Sequence, residues 1–161
     1  MEQRESHATG GCQCGAIRYV LYSRPISTLC HCRMCQKAVG GLFAALAKVP
    51  VSDFAWTRGS PSGFQSSSVA IRDFCPSCGT PLTFRFIGGD ALEVTTGSLD
   101  QPATAPVTRH FGVESRMPWL TDLMPGRLPE ETTADASAGR QQAVSRQHPD
   151  HDTADGWVPP A

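Results

Sequence analysis

Residues 30–35 read CHCRMC, placing three thiols, one imidazole and one guanidinium in six consecutive positions. A run this rich in sulfur suits a structural zinc knuckle, a redox pair or a metal centre with a vacant position, and the rest of the chain decides among them. Two cysteine pairs flank it: Cys12 and Cys14 in GGCQCG, residues 10–15, and Cys75 and Cys78 in FCPSCGT, residues 74–80. The seven cysteines are odd in number and all lie between Cys12 and Cys78. That pattern fits metal ligation in a reducing compartment better than a closed disulfide framework.

On an extended backbone, side chains two apart share a face, so Cys12 and Cys14 can grip one ion. Cys75 and Cys78 form a CxxC turn in which Pro76 restricts the loop and Gly79 follows where a positive φ is often required. Two such arms make one closed tetrahedral four-cysteine zinc site, which staples a fold and leaves no position for a substrate. Cys30, Cys32 and Cys35 then form a self-contained triple, and zinc with three protein ligands keeps its fourth position for water or substrate. The spacing also permits other partitions, such as Cys30 and Cys32 with Cys75 and Cys78, and it permits a histidine to close the triple. His31 faces away from the ion if its backbone is extended, which makes His110 the more credible fourth ligand. A redox reading of Cys32 and Cys35 lacks the βαβ context of a thioredoxin-like motif.

Around these motifs the chain reads as all-β. AIRYVLY (16–22), LFAALAKV (42–49), LTFRF (82–86) and ALEVTT (91–96) are short, β-branched or aromatic runs, separated by Gly, Pro and Ser clusters that mark turns. CRMCQKAV (32–39) and PWLTDLM (118–124) are candidates for short helices, too brief to organise a bundle. Trp56, Phe74 and Trp119 are assigned to the core. From Pro129 the composition turns polar, with six acidic residues against two arginines. Such a segment buries too little apolar surface to offset its ordering entropy, so residues 129–161 are expected to form a disordered tail.

Net charge is -1, from 14 basic and 15 acidic residues, which gives no global field for nucleic acid or an anionic membrane. A nucleic-acid zinc ribbon would bring a basic, aromatic-interleaved face that is absent here. No run is long and apolar enough for a signal peptide or a membrane span, and the expected location is cytoplasmic. Oligomeric state is not encoded in any motif.

The segments GGCQCGAIRY, CHCRMCQKAVGG, AIRDFCPSCGTPLTF, VTTGSLDQP and HFGVESRMPWL, in this order, resemble the glutathione-dependent formaldehyde-activating enzyme family, also called the CENP-V/GFA domain. The resemblance covers residues 8–128, which we take as the zinc-binding domain. It implies a β-tent fold of small antiparallel sheets with two zinc ions, a structural one on Cys12, Cys14, Cys75 and Cys78 and a catalytic one on Cys30, Cys32 and Cys35. It also implies a carbon–sulfur lyase of the S-(hydroxymethyl)glutathione synthase type, with glutathione or a related small thiol and an aldehyde as partners. Arg33 and Lys37 are the local candidates for the carboxylates of the thiol, with Arg72 and Arg109 as more distant ones. The competing reading is a non-enzymatic zinc module for a protein or nucleic-acid partner.

Overall fold

The computed structural model describes residues 4–123 and 145–158. Ten strands are present among them: β1 (Ala8–Gly11), β2 (Arg18–Leu21), β3 (Ile26–Cys30), β4 (Ala44–Pro50), β5 (Phe54–Arg58), β6 (Ser62–Ser67), β7 (Ala70–Phe74), β8 (Pro81–Phe86), β9 (Ala91–Thr95) and β10 (Val107–Phe111). The four runs read as strands form β2, β4, β8 and β9. One short helix, α1 (Arg33–Val39), follows β3, and Leu120–Leu123 closes into a 3-10 turn. No helix among the described residues is long and apolar enough to cross a membrane.

The strands form two sheets, a three-stranded one ordered β1-β2-β5 and a seven-stranded one ordered β10-β3-β4-β9-β8-β7-β6. Pairing is antiparallel, as expected, apart from β10, which runs parallel to β3. The connection from β9 permits this: residues 96–106 cross from mid-sheet to its edge, and a parallel strand needs a long crossover of this kind rather than a tight hairpin.

Alternation along the strands gives the large sheet two faces. Ala47 and Val49 of β4 and Leu92 and Val94 of β9 pack with Tyr19 and Leu21 of β2 in the main core. Phe54 and Trp56 of β5 close this core in edge-on contact, with ring centroids 4.8 Å apart. The Tyr19 hydroxyl finds Ser98 at 2.8 Å, satisfying the polar end of a fully buried ring. Trp119, expected in the core, is 45% exposed on the turn before Leu120. The opposite face carries Cys30, Lys48, Glu93, Phe84, Arg72 and Arg109, which line one cavity.

A buried ion pair ties β2 to the segment that follows β9. Arg18, 3% exposed at its side chain, donates to Asp100 through Nη1 at 2.8 Å and again through Nη2. Residues 145–158 add to this network although they have no regular secondary structure. Asp152 accepts from Arg18 Nε at 3.0 Å, Arg58 donates to the carbonyl of Thr153, and the backbone N–H of His148 donates to Gln13 O at 2.7 Å. The tail was expected to be disordered throughout 129–161. Its residues 129–144 and 159–161 lie outside the described residues, whereas 145–158 are seated on the domain with His148 only 3% exposed. Gly15 makes room for this contact, since a Cβ there would lie 2.2 Å from the His148 ring.

Burial works against ionisation of Asp100, but the hydrogen bonds from Arg18 and Thr9 outweigh it and hold the carboxyl below its ordinary value. Its stabilising contribution is therefore complete above the usual carboxylate pKa and is lost as pH falls through the depressed one. Asp100→Asn should cost about 3 kcal/mol near neutral pH and should flatten the fall in stability below about pH 4. Denaturant unfolding of both proteins across pH checks this.

Candidate metal centres

The loop between β1 and β2 carries Cys12 and Cys14, and the loop between β7 and β8 carries Cys75 and Cys78. The first loop is a turn rather than an extended segment. Gly15 N–H donates to Cys12 O at 3.0 Å and Ile17 N–H to Cys12 Sγ at 3.2 Å. The expected strand pleat is thus replaced by a knuckle, with the same result that both sulfurs face one point. Across the two loops the sulfurs lie 3.5 Å (Cys12 to Cys14) and 3.8 Å (Cys14 to Cys75) apart. A tetrahedron with metal–sulfur bonds near 2.3 Å requires sulfurs about 3.8 Å apart, so a donor set with these spacings is consistent with zinc.

The second cluster is built on the start of α1. Cys32 is the helix N-cap, and its sulfur accepts from the backbone N–H of Cys35 at 3.5 Å. Capping brings Cys35 back over the cap, where Cys30, at the end of β3, already stands 3.5 Å from Cys32. Gly40 ends the helix in the left-handed conformation, with φ 64°. The buried side chain of Gln36 donates to His31 O at 2.8 Å and to Ser115 O at 2.9 Å, locking the helix to both the cysteine loop and the chain after β10. Gly112 lets that chain approach, because a Cβ there would lie 2.9 Å from Cys32 N.

Each cluster is a group in which the sulfurs lie within 4.8 Å of one another, four in Cys12, Cys14, Cys75 and Cys78 and three in Cys30, Cys32 and Cys35. Both could hold a metal ion, and all seven thiols are free. The alternative that combined Cys30 and Cys32 with Cys75 and Cys78 does not correspond to the geometry. No histidine or carboxylate among the described residues joins either cluster. His110, the expected better candidate to close the triple, faces His31 instead, Nδ1 to Nε2 at 2.9 Å with the rings stacked 5.1 Å apart. His31 does turn away from the sulfurs, into a fully buried site against Phe43.

The thiols respond differently to this crowding. Burial pushes Cys12 and Cys30 up to about 12. Cys35 is also raised by burial, against the pull of Arg72, whose Nη2 donates to its sulfur at 3.2 Å. At Cys78 burial is outweighed by hydrogen bonds from Thr80, leaving the thiol at about 6. At Cys32 it is outweighed by the backbone N–H of Cys35 and by the neighbouring sulfurs, and the pKa falls.

The triple opens into a cavity of about 420 Å³, whose lining includes Cys30, Cys32, Cys35, Arg72, Arg109, Lys48 and Glu93, with Phe84, Phe86, Phe111 and Met34 among its apolar walls. Arg33 and Lys37 do not line it. Arg33 donates to Gln36 Oε1, and Lys37 borders a neighbouring hollow of about 520 Å³. Lys48 and Glu93 were missed from sequence. Their only signal was a charge inside each of two otherwise strand-like runs, LFAALAKV and ALEVTT.

A family model described as "Glutathione-dependent formaldehyde-activating enzyme" matches residues 7–114, a span that contains every cysteine. The crystal structure of a Rhodobacter sphaeroides protein is similar over 63% of this chain and 98% of its own, at 21% sequence identity and a TM-score of 0.49.

The two clusters should differ in their effect on folding. Cys75→Ser breaks the closed set and should lower stability by several kcal/mol or prevent folding, whereas Cys35→Ser should leave a folded protein that has lost one metal. Thermal unfolding combined with native mass spectrometry of each variant distinguishes them.

Proposed function

Because the chain belongs to the glutathione-dependent formaldehyde-activating enzyme family, we propose that it is a carbon–sulfur lyase of the S-(hydroxymethyl)glutathione synthase type. It joins glutathione, or a related small thiol, to formaldehyde or a similar aldehyde. The single observation that carries this reading is the contrast between the clusters: four sulfurs close on one another at Cys12, Cys14, Cys75 and Cys78, while three at Cys30, Cys32 and Cys35 face a cavity. We assign a structural zinc to the first and a catalytic zinc to the second. Zinc held by three thiolates would lower the pKa of an incoming thiol from its ordinary value of about 8.5, supplying thiolate at neutral pH.

The chain's own residues orient and enclose the reactants. Arg72 donates to Cys35 Sγ at 3.2 Å, drawing negative charge from the triple so that a further anionic sulfur is tolerated beside it. Arg109 is held by Thr28, Nε to Oγ1 at 3.3 Å, which leaves the rest of its guanidinium for a substrate carboxylate. Phe84, Phe111 and Met34 provide apolar wall around the reacting groups. In the addition, the sulfur–carbon bond forms, the carbonyl π pair moves to oxygen, and that oxygen takes up the proton the thiol has lost. Formaldehyde is reactive enough that positioning supplies most of the acceleration.

Mixing metal-loaded protein with glutathione and formaldehyde should produce the S-hydroxymethyl adduct faster than the uncatalysed reaction, as followed by NMR exchange. Cys32→Ser should abolish the acceleration while leaving the fold intact. An adduct-forming rate equal to the background would remove the proposed reaction.

A further inference from the structure

The floor of the cavity carries charges that the chemistry at sulfur does not use. Lys48 pairs with Glu93 across β4 and β9, and it stands four residues along β4 from Ala44, the partner of Cys30 on β3. Those four residues and two interstrand steps separate the Cys30 and Glu93 backbones by roughly 16 Å, and both side chains line the same cavity. Among the described residues, Glu93 is the one acidic residue lining that cavity, alongside the cations Lys48, Arg72 and Arg109. Among the described residues, no cation lies within ion-pair distance of its carboxylate. Burial raises the pKa of Glu93, and the nearby charges of Lys48, Arg109 and Arg72 only partly oppose this.

This pattern of fixed charge matches one kind of small thiol. Glutathione has two carboxylates and one α-ammonium, and its sulfur and amino nitrogen are eight bonds apart, roughly 10 Å when extended. With the sulfur at the cysteine triple, the amino end reaches the region of Glu93 once both protein side chains have extended into the cavity. We propose that Glu93 is a specificity-determining residue that receives the α-ammonium of the γ-glutamyl end, while Lys48 and Arg109 receive carboxylates. The cavity thereby selects a zwitterionic thiol over one carrying carboxylates alone, because the latter brings no ammonium to Glu93, which has no ion-pair partner among the described residues, and adds a further carboxylate to its surroundings. This inference rests on the glutathione reading above.

The test is direct binding, by calorimetry on the metal-loaded protein, of glutathione and of its deaminated analogue glutaryl-cysteinylglycine. The native protein should bind glutathione about 10- to 100-fold more tightly than the analogue. Glu93→Gln should reduce that preference to less than about twofold without weakening the analogue, and Glu93→Asp, which keeps the charge, should retain most of it. Glutathione binding with no preference in the native protein, or a preference that survives Glu93→Gln, overturns the role of Glu93 alone. Failure of the native protein to bind either thiol overturns the glutathione reading together with it.

Discussion

Four sulfurs within 4.8 Å of one another at Cys12, Cys14, Cys75 and Cys78, and three at Cys30, Cys32 and Cys35, can all ionise only with a cation among them. Like charges this close repel strongly in a partly buried setting. Burial drives the Cys12 and Cys30 thiols up to about 12, with the neighbouring sulfurs adding to it, while hydrogen bonds from Thr80 take Cys78 down to about 6. A bound divalent ion resolves the conflict and couples its binding to folding. In the four-sulfur cluster the sulfurs come from two loops, Cys14 and Cys75 being 61 residues apart in sequence, so an ion bound there would join the loop after β1 to the loop between β7 and β8. In the triple all three sulfurs sit within a single strand–helix junction, and an ion bound there would have little to hold together.

Under the proposed function, that difference lets one small domain separate stability from chemistry. The inward face of the large sheet packs on Tyr19, Leu21, Phe54 and Trp56, and Arg18 with Asp100 fastens β2 to the segment after β9. The outward face is free to carry charge, and it places Lys48, Glu93, Arg72 and Arg109 around the open sulfur triple. Residues 145–158 act on the first side only. Through His148, Asp152 and Thr153 they brace the Cys12–Cys14 knuckle, Arg18 and Arg58 respectively, adding polar contacts where the domain is already closed.

Much of this was legible in the sequence because it depends on short spacings. CxxC at a helix start brings two sulfurs together through N-capping, and alternating apolar residues mark β4 and β9 as strands wherever they lie in the fold. The parallel placement of β10 was not legible, since it depends on a crossover whose route no local pattern records. The charged floor of the cavity was hidden for a related reason: Lys48 and Glu93 become neighbours only once the β4–β9 register is set. The docking of 145–158 was missed because hydropathy is blind to it, the contacts being chiefly hydrogen bonds and ion pairs to Arg18 and Arg58. The choice of Arg33 and Lys37 followed closeness in sequence, whereas the sheet brings Arg72 and Arg109 to the cavity from β7 and β10.

The account stands on one ion enclosed by four sulfurs and another held by three with a vacancy. X-ray absorption at the zinc edge of the fully loaded protein reads this directly. The predicted average is about 3.5 sulfurs per zinc near 2.3 Å, with the remaining half-ligand an oxygen near 2.0 Å that glutathione replaces by sulfur. Four sulfurs around every zinc before any thiol is added, or imidazole scattering from His31 or His110, would contradict it.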